Sequence, residues 1–246
     1  MNDVLGHWSA AHPAEIAELF KDSDFPWWIA GGYAIELAAG REIRPHGDVD
    51  VLVLRRDQER VRERLADWDL YVADPPRAGQ LRPWARGEFL DLPLNGLWCR
   101  RSPSAPWSVE LLLDESDADQ WVSRRDARVR LPLDHLGQVS AEDIPYLAPE
   151  VQLFYKAKAT REKDQADFEA VVPLLGPAQR AWLLEALDLC EPKHPWRERL
   201  TAGNRGGGRR LWDSDEEAGG AVYASGGPGA GRQGSRFVIW GSMEAS

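Results

Sequence analysis

The segment GGYAIELAAGREIRPHGDVDVLVL, residues 31–54, contains a turn, a helix and a strand in close succession. The apolar run at residues 27–30 predicts a short buried strand that ends at the two glycines. Residues 33–39 carry apolar side chains at helical spacing, and Gly40 stands where a C-terminal glycine cap is expected. Residues 48–54 alternate two carboxylates with valines before becoming wholly apolar, which is typical of a strand that enters a core.

Asp48 and Asp50 are separated by one residue on this predicted strand, so their side chains are expected on the same face, about 7 Å apart at the Cα atoms. Carboxylates so placed can share divalent cations, and Mg²⁺ prefers hard oxygen ligands together with water and substrate phosphates. A third carboxylate from a neighbouring strand would complete the site. Glu110, in the predicted strand 108–113, is favoured over Asp114, because an Asp at a strand end is ordinary turn chemistry.

Gly31 and Gly32 have no Cβ atom to obstruct a metal-bound triphosphate, and they place backbone N–H groups at a helix N-terminus. A Gly-Gly pair is also common in simple turns, and an Asp-x-Asp sequence occurs by chance in acidic proteins. The order and spacing of the two features together favour a nucleotide site.

The rest of the chain divides into three parts. Residues 121–133 predict a hairpin around 126–128, and apolar spacing predicts helices at 150–159, 164–175 and 178–189. We therefore expect a boundary near 140–148, between a catalytic domain at 1–140 and a helical domain at 141–200. Residues 201–246 are rich in glycine and poor in apolar side chains, which predicts a largely disordered tail.

Charge and cysteine content narrow the function classes. The 30 Lys and Arg residues against 40 Asp and Glu residues give a net charge of −10, which argues against nonspecific nucleic-acid binding and suits a cationic small molecule. Cys99 and Cys190 are far apart and lack metal-ligand spacing, so neither a disulfide framework nor a zinc site is expected. With no signal segment and no apolar run of membrane-spanning length, we expect a soluble, cytoplasmic protein without a membrane partner.

The string at residues 27–54 resembles the nucleotidyltransferase superfamily, in which a Gly-Gly or Gly-Ser turn and a helix precede a strand bearing Asp-x-Asp. It is most similar to the aminoglycoside 2″-adenylyltransferase family. Residues 146–168 also resemble the C-terminal helical part of such enzymes. The matching positions are Gly31, Gly32, Tyr33, Ala34, Glu36, Gly40, Arg41, Arg44, His46, Asp48 and Asp50.

The resemblance implies an α+β fold, with a small mixed β-sheet and flanking helices followed by a helical domain, and an active site between the two parts. It implies transfer of a nucleoside monophosphate to a hydroxyl group of a small molecule such as an aminoglycoside antibiotic. The transferred group would be AMP if the donor is ATP, or the corresponding nucleotide if the donor is another NTP. Asp48, Asp50 and Glu110 would hold two Mg²⁺ ions. Glu110 would also act as general base, at a place where the family often has Asp.

The resemblance also suggests that Arg161 and Lys163 meet phosphate, and that Asp164 and Asp167 fix a helix start or reach into the cleft. Lys156 or Lys163 is the candidate for phosphate contact, although the stretch 156–163 is also typical of a solvated helix face. Two other functions remain open at this point. One is nucleotidyl transfer to a macromolecule, such as a tRNA end or a protein hydroxyl group, as in toxin-like relatives. The other is a nucleotide-binding module without turnover.

Overall fold

The apolar runs of the sequence form a mixed β-sheet in the computed structural model, which describes residues 6–74 and 80–203. The strands are β1 (Trp27–Ile29), β2 (Asp50–Leu54), β3 (Asp69–Asp74), β4 (Gln80–Pro83), β5 (Gly96–Arg100), β6 (Val109–Asp117), β7 (Gln120–Val122), β8 (Arg130–Pro132), β9 (Gly137–Val139) and β10 (Pro145–Leu147). The helices are α1 (Pro13–Leu19), α2 (Gly31–Ala39), α3 (Gln58–Arg64), α4 (Pro149–Lys156), α5 (Glu162–Val171), α6 (Pro177–Cys190) and α7 (Trp196–Gly203).

The strand order is β4-β3-β5-β6-β2-β1-β10-β9, and β7 and β8 continue from β6 as a hairpin. The β2–β6 and β1–β10 pairs are parallel, and the other pairs are antiparallel. The two central strands β2 and β6 are paired over five residues, from Asp50 opposite Glu110 to Leu54 opposite Asp114. Four of the five β2 residues are buried, because apolar strands at the centre of a sheet are covered on both faces.

The helices after residue 148 pack around α4. This helix contacts α2, α5 and α6, and its Leu153 and Phe154 are fully buried. Within residues 6–74 and 80–203, none of the helices combines the length and the apolar character that crossing a bilayer requires. The predicted α+β class, a mixed sheet with flanking helices and a following set of helices, is confirmed.

Several local predictions are also confirmed. Gly40 ends α2 in the left-handed conformation, with φ of +62°, and residues 121–133 form the β7–β8 hairpin. Others are corrected. The glycine pair is the first turn of α2 rather than a separate turn, and β2 begins at Asp50, so Asp48 precedes the strand.

The division at residue 140 stays a prediction. Strand β10 lies in the predicted boundary region and pairs with β1 within the sheet. Of the predicted tail, residues 201–203 end α7, and residues 204–246 lie outside the described part of the chain.

Candidate functional site

Three carboxylates meet where β2 and β6 begin. Asp50 and Glu110 lie directly opposite each other in the parallel β2–β6 pair, so their side chains share one face of the sheet. Asp48 lies two residues before Asp50, and the Glu110 N–H donates to the Val49 carbonyl oxygen (2.9 Å), which holds this preceding segment against β6. One ligand oxygen from each of Asp48, Asp50 and Glu110 lies within 4.8 Å of the others. The structure thus brings the three predicted carboxylates together.

The proximity of the three carboxylates raises the pKa values of Asp50 and Glu110. Burial, and then the charge of Asp48, raises the pKa of Asp50 to about 6. Burial, and then the charges of Asp50 and Asp48, raises the pKa of Glu110 to about 8. Like charges crowded together disfavour ionisation, and a bound cation offsets that repulsion. Three carboxylates with no nitrogen or sulfur ligand form a donor set that fits Mg²⁺.

Asp114, the alternative third carboxylate, has a different environment. It is buried four residues further along β6, where it accepts hydrogen bonds from the Trp121 indole N–H (2.5 Å), the Arg124 Nε (2.8 Å) and the Tyr155 hydroxyl group. These partners link β6 to the β7–β8 hairpin and to α4. Asp114 therefore supports the packing of these elements, and Glu110 is the member of the carboxylate cluster.

The position of the Asp50 side chain requires a glycine at residue 31. A Cβ atom at Gly31 would lie 2.0 Å from Asp50 Oδ2, and the Gly31 backbone has φ of +67°, a conformation that residues with a Cβ atom rarely adopt. The Gly31 N–H donates to Gln152 Oε1 (2.8 Å) in the buried interior. The expectation of an exposed Gly31 N–H is therefore wrong, because α4 supplies its acceptor.

Gly32 makes room for the loop that leads to Asp48. A Cβ atom there would lie 2.2 Å from His46 Cε1 and 2.5 Å from Arg44 Nη2. The Gly32 N–H belongs to the first turn of α2, whose donors have no acceptor within the helix. Of the two glycines predicted to contact the nucleotide, Gly32 is the one whose backbone N–H is suited to bind an anion.

Glu36 of α2 organises the loop at residues 41–48. Its Oε1 accepts hydrogen bonds from the backbone N–H groups of Ile43 (2.7 Å) and Arg44 (3.0 Å), and it lies 2.9 Å from His46 Nε2. The His46 ring lies against Tyr33, with 4.2 Å between ring centroids. Sequence reasoning assigned no role to His46, and the structure shows that it joins α2 to the segment before Asp48.

A buried ion-pair network ties this loop to the helices. Lys156 Nζ lies 3.2 Å from Asp164 Oδ1 and 2.8 Å from Asp167 Oδ2, and both carboxylates are 1% exposed. Asp167 also pairs with Arg44 Nη2 (3.2 Å). The sequence suggested that Asp167 fixes a helix start or reaches into the cleft, whereas Gln152 was not singled out; the partners of Gln152 and Asp167 are 121 and 123 residues away along the chain. The capping box that includes Asp164 at the start of α5 is a local signal, but the pairing with Arg44 is not.

The two lysines predicted to meet phosphate differ in their burial. Lys156 is buried between its two aspartates, whereas Lys163 is exposed in the first turn of α5. The positive charges of Lys156, Lys163 and Arg161 all oppose the rise in the pKa of Asp50, so all three act on the carboxylate cluster. Cations of α4 and α5 therefore lie on one flank of the cluster.

The comparisons with known proteins agree with this arrangement. Residues 14–74 match the family model described as aminoglycoside-2''-adenylyltransferase, a segment that includes Gly31, Gly32, Asp48 and Asp50. The predicted resemblance to the nucleotidyltransferase superfamily is confirmed. No curated protein was found to match the chain by sequence.

Solved structures of nucleotidyltransferases show weak similarity over most of their length. The lincomycin-bound lincosamide antibiotic adenylyltransferase LnuA is 16% identical, with a TM-score of 0.46 over 66% of this chain and 95% of that one. ANT(2")-Ia in complex with adenylyl-2"-tobramycin is 12% identical, with a TM-score of 0.46 over 72% and 95%. An antigenic nucleotidyltransferase-like protein from Paracoccidioides brasiliensis is 18% identical, with a TM-score of 0.42 over 77% and 90%.

Proposed function

We propose that this chain is a Mg²⁺-dependent nucleotidyltransferase that moves a nucleoside monophosphate, AMP from ATP or the equivalent from another NTP, to a hydroxyl group of a small molecule. The observation that carries this proposal is the cluster of Asp48, Asp50 and Glu110, whose ligand oxygens lie within 4.8 Å of one another. The family match over residues 14–74 supports it, because that segment contains two of the three carboxylates.

Asp48, Asp50 and Glu110 would hold the metal, with two ions as the expected number. When bound, Mg²⁺ supplies positive charge that offsets the charge developing on the α-phosphate. Glu110 accepts the proton of the acceptor hydroxyl group, whose oxygen forms the new bond to the α-phosphorus while pyrophosphate leaves. Burial and the charges of Asp50 and Asp48 raise the pKa of Glu110 to about 8 in the metal-free protein. A bound cation would offset the repulsion between these carboxylates, so Glu110 would be ionised and able to accept the proton when the metal is present.

The cationic flank suits the β- and γ-phosphates. Lys163 is exposed there, and the N–H of Gly32 lies at the N-terminus of α2, where anions are favoured. Lys156 stays a candidate for phosphate contact, but it would have to leave at least one of its two aspartates to reach a ligand. Its positive charge acts on Asp50 without such a movement.

A small cationic acceptor, such as an aminoglycoside, is consistent with the family match and with the net charge of −10. The same charge disfavours nonspecific nucleic-acid binding. We place the protein in the cytoplasm as part of this proposal, because its substrates ATP and Mg²⁺ would be met there.

The proposal is tested by pyrophosphate release from purified protein with Mg²⁺ and each NTP, against a panel of aminoglycosides, lincosamides and other hydroxylated small molecules. Asp50→Asn should lower acceptor-dependent release at least about 100-fold, since it removes a charge from the metal site. Asp134→Asn is the matched control, because Asp134 is an exposed aspartate outside the carboxylate cluster.

The outcomes separate the candidate functions. Release that requires an acceptor and Asp50 supports the proposal and names the acceptor class. Mg²⁺-dependent NTP binding without release across the panel indicates a macromolecular acceptor, such as tRNA or a protein. If wild-type protein neither binds an NTP nor releases pyrophosphate, the enzyme proposal is wrong.

A further inference from the structure

An aromatic surface lies next to Glu110. Trp98 of β5 is paired with Glu110 of β6 in antiparallel register, and its indole opposes the rise in the pKa of the Glu110 carboxyl group. Trp8 meets Trp98 edge to face, with 5.0 Å between ring centroids. Both indoles are partly exposed. We call these two rings the Trp8–Trp98 surface.

The segment that carries Trp8 is fixed to the sheet. The Ser9 N–H donates to the Trp107 carbonyl oxygen (2.8 Å), and the Trp107 N–H donates to the His7 carbonyl oxygen (3.0 Å). Trp107 itself is buried and packs edge to face against Trp98, at 5.8 Å between centroids. Trp8 is therefore held beside Trp98 by backbone hydrogen bonds on one side and by ring packing on the other.

Charge is distributed unequally around the carboxylate cluster. Lys156, Lys163 and Arg161 oppose the rise in the pKa of Asp50, whereas the charges of Asp50 and Asp48 add to the rise in the pKa of Glu110 that burial causes. Arg100 lies two residues beyond Trp98 on β5, but its Nε is paired with Asp69 Oδ2 (2.7 Å). The cluster thus has a cationic flank towards α5, and it has an aromatic flank towards β5 on which Arg100 is neutralised by Asp69.

We propose that the Trp8–Trp98 surface binds the acceptor, and that the acceptor is a ring-bearing hydroxylated molecule that is neutral or positively charged. This inference rests on the proposed function, since the acceptor hydroxyl group must approach Glu110. With the triphosphate on the cationic flank, the acceptor would approach Glu110 from the side of Trp98, its neighbour on β5. Indole rings pack against the apolar faces of sugar-like rings and attract ammonium groups.

The same surface disfavours anionic acceptors. A phosphorylated sugar or a nucleic acid would bring negative charge beside Asp48, Asp50 and Glu110, whereas Arg100, the cation next to the Trp8–Trp98 surface on β5, is already paired with Asp69. Specificity against such molecules follows from repulsion as well as from the shape of the aromatic surface. The surface therefore favours small-molecule transfer over transfer to a tRNA end.

The test compares the KM values for acceptor and for NTP in Trp8→Ala, Trp8→Phe and the control Trp68→Ala, with tobramycin and lincomycin as the acceptor probes. Trp8→Ala should raise the acceptor KM about 10-fold, the effect of losing one buried aromatic contact, and leave the KM for NTP unchanged. Trp8→Phe keeps an aromatic face and should raise it no more than about 3-fold. Trp68 packs under Arg101 outside the Trp8–Trp98 surface, so Trp68→Ala should change neither KM.

Each outcome bears on a different claim. Asp50-dependent transfer with equal acceptor KM values in wild type and Trp8→Ala overturns the inference and leaves the proposed function standing. Asp50-dependent transfer to glucose 6-phosphate, with neither probe modified, does the same. Asp50-dependent transfer to tRNA alone overturns both the inference and the small-molecule acceptor of the proposed function. If wild-type protein neither binds an NTP nor transfers a nucleotide to any acceptor, the proposed function fails and the inference fails with it.

Discussion

Replacing Gly31 by alanine is expected to inactivate the site at a modest cost in stability. The new Cβ atom would lie 2.0 Å from Asp50 Oδ2 and 2.9 Å from Asp50 Cγ, whereas ordinary van der Waals contact begins at 3.4 Å. The Asp50 carboxylate must therefore move by roughly 1 Å or more. A displacement of about 1 Å at a catalytic group costs about 100-fold in rate, so Gly31→Ala should lower kcat/KM by about that factor.

Gly40→Ala is the matched control for backbone strain. Gly31 and Gly40 have φ of +67° and +62°, and nothing lies within 4 Å of a Cβ atom at Gly40. Both substitutions place an L-residue in the left-handed region, at a cost of about 1–2 kcal/mol. Gly40→Ala should therefore lower the free energy of unfolding by this amount and leave transfer activity unchanged, because only Gly31 faces a carboxylate.

Urea denaturation of both variants, together with acceptor-dependent pyrophosphate release, distinguishes the two effects. We expect comparable strain in both proteins and loss of activity in Gly31→Ala alone. Full activity in a folded Gly31→Ala protein would refute the argument that Asp50 needs the space at Gly31. Equal loss of activity in Gly40→Ala would show that strain in α2, rather than contact with Asp50, is responsible.

Two further predictions follow from the buried charges. Asp167→Asn removes the carboxylate shared by Arg44 and Lys156, and should lower the free energy of unfolding in urea by about 3 kcal/mol, because the buried Lys156 loses one of its two carboxylate partners and Arg44 loses its own. Asp188→Asn breaks an exposed pair and should cost less than about 1 kcal/mol; equal costs would contradict the assignment. The pKa of Glu110 in the folded, metal-free protein is about 8, above the ordinary value of 4.5. Between pH 4.5 and pH 8 the folded protein therefore holds a proton that the unfolded chain has lost. The stability of the folded protein falls as the pH rises through this range. The increase in Tm caused by saturating Mg²⁺ should therefore be larger at pH 8 than at pH 6, and an equal increase at both pH values would count against a cation at this carboxyl group.

Local patterns predicted most of the elements that build the site. The alternation in residues 48–54 and the apolar run at 27–30 predict strands, and Gly40 ends α2 as expected. Such signals are readable because strand periodicity and the left-handed glycine cap depend on a few neighbouring residues. Strands β4, β5, β9 and β10 were not predicted, since they are short and carry little alternation, and their partners in the sheet stabilise them.

The choice of the third carboxylate shows where local reasoning ends. Glu110 and Asp114 lie four residues apart on β6, so alternation alone places them on the same face. The register of β6 against β2 puts Glu110 opposite Asp50 and Asp114 opposite Leu54. The separate partners of Asp114, on the hairpin and on α4, come from packing between elements.

The sequence by itself determined the order of strand, helix and strand around the glycine pair, the choice of Asp48 and Asp50 as candidate metal ligands, and the α+β class. Only the tertiary structure decided that Gly31 makes room for Asp50, that Gln152 caps the glycine turn, and that Asp167 joins Arg44 to Lys156. The physical reason is the separation along the chain over which each interaction acts. Backbone sterics and hydrophobic periodicity act between near neighbours, whereas contacts between residues more than a hundred positions apart depend on strand register and helix packing.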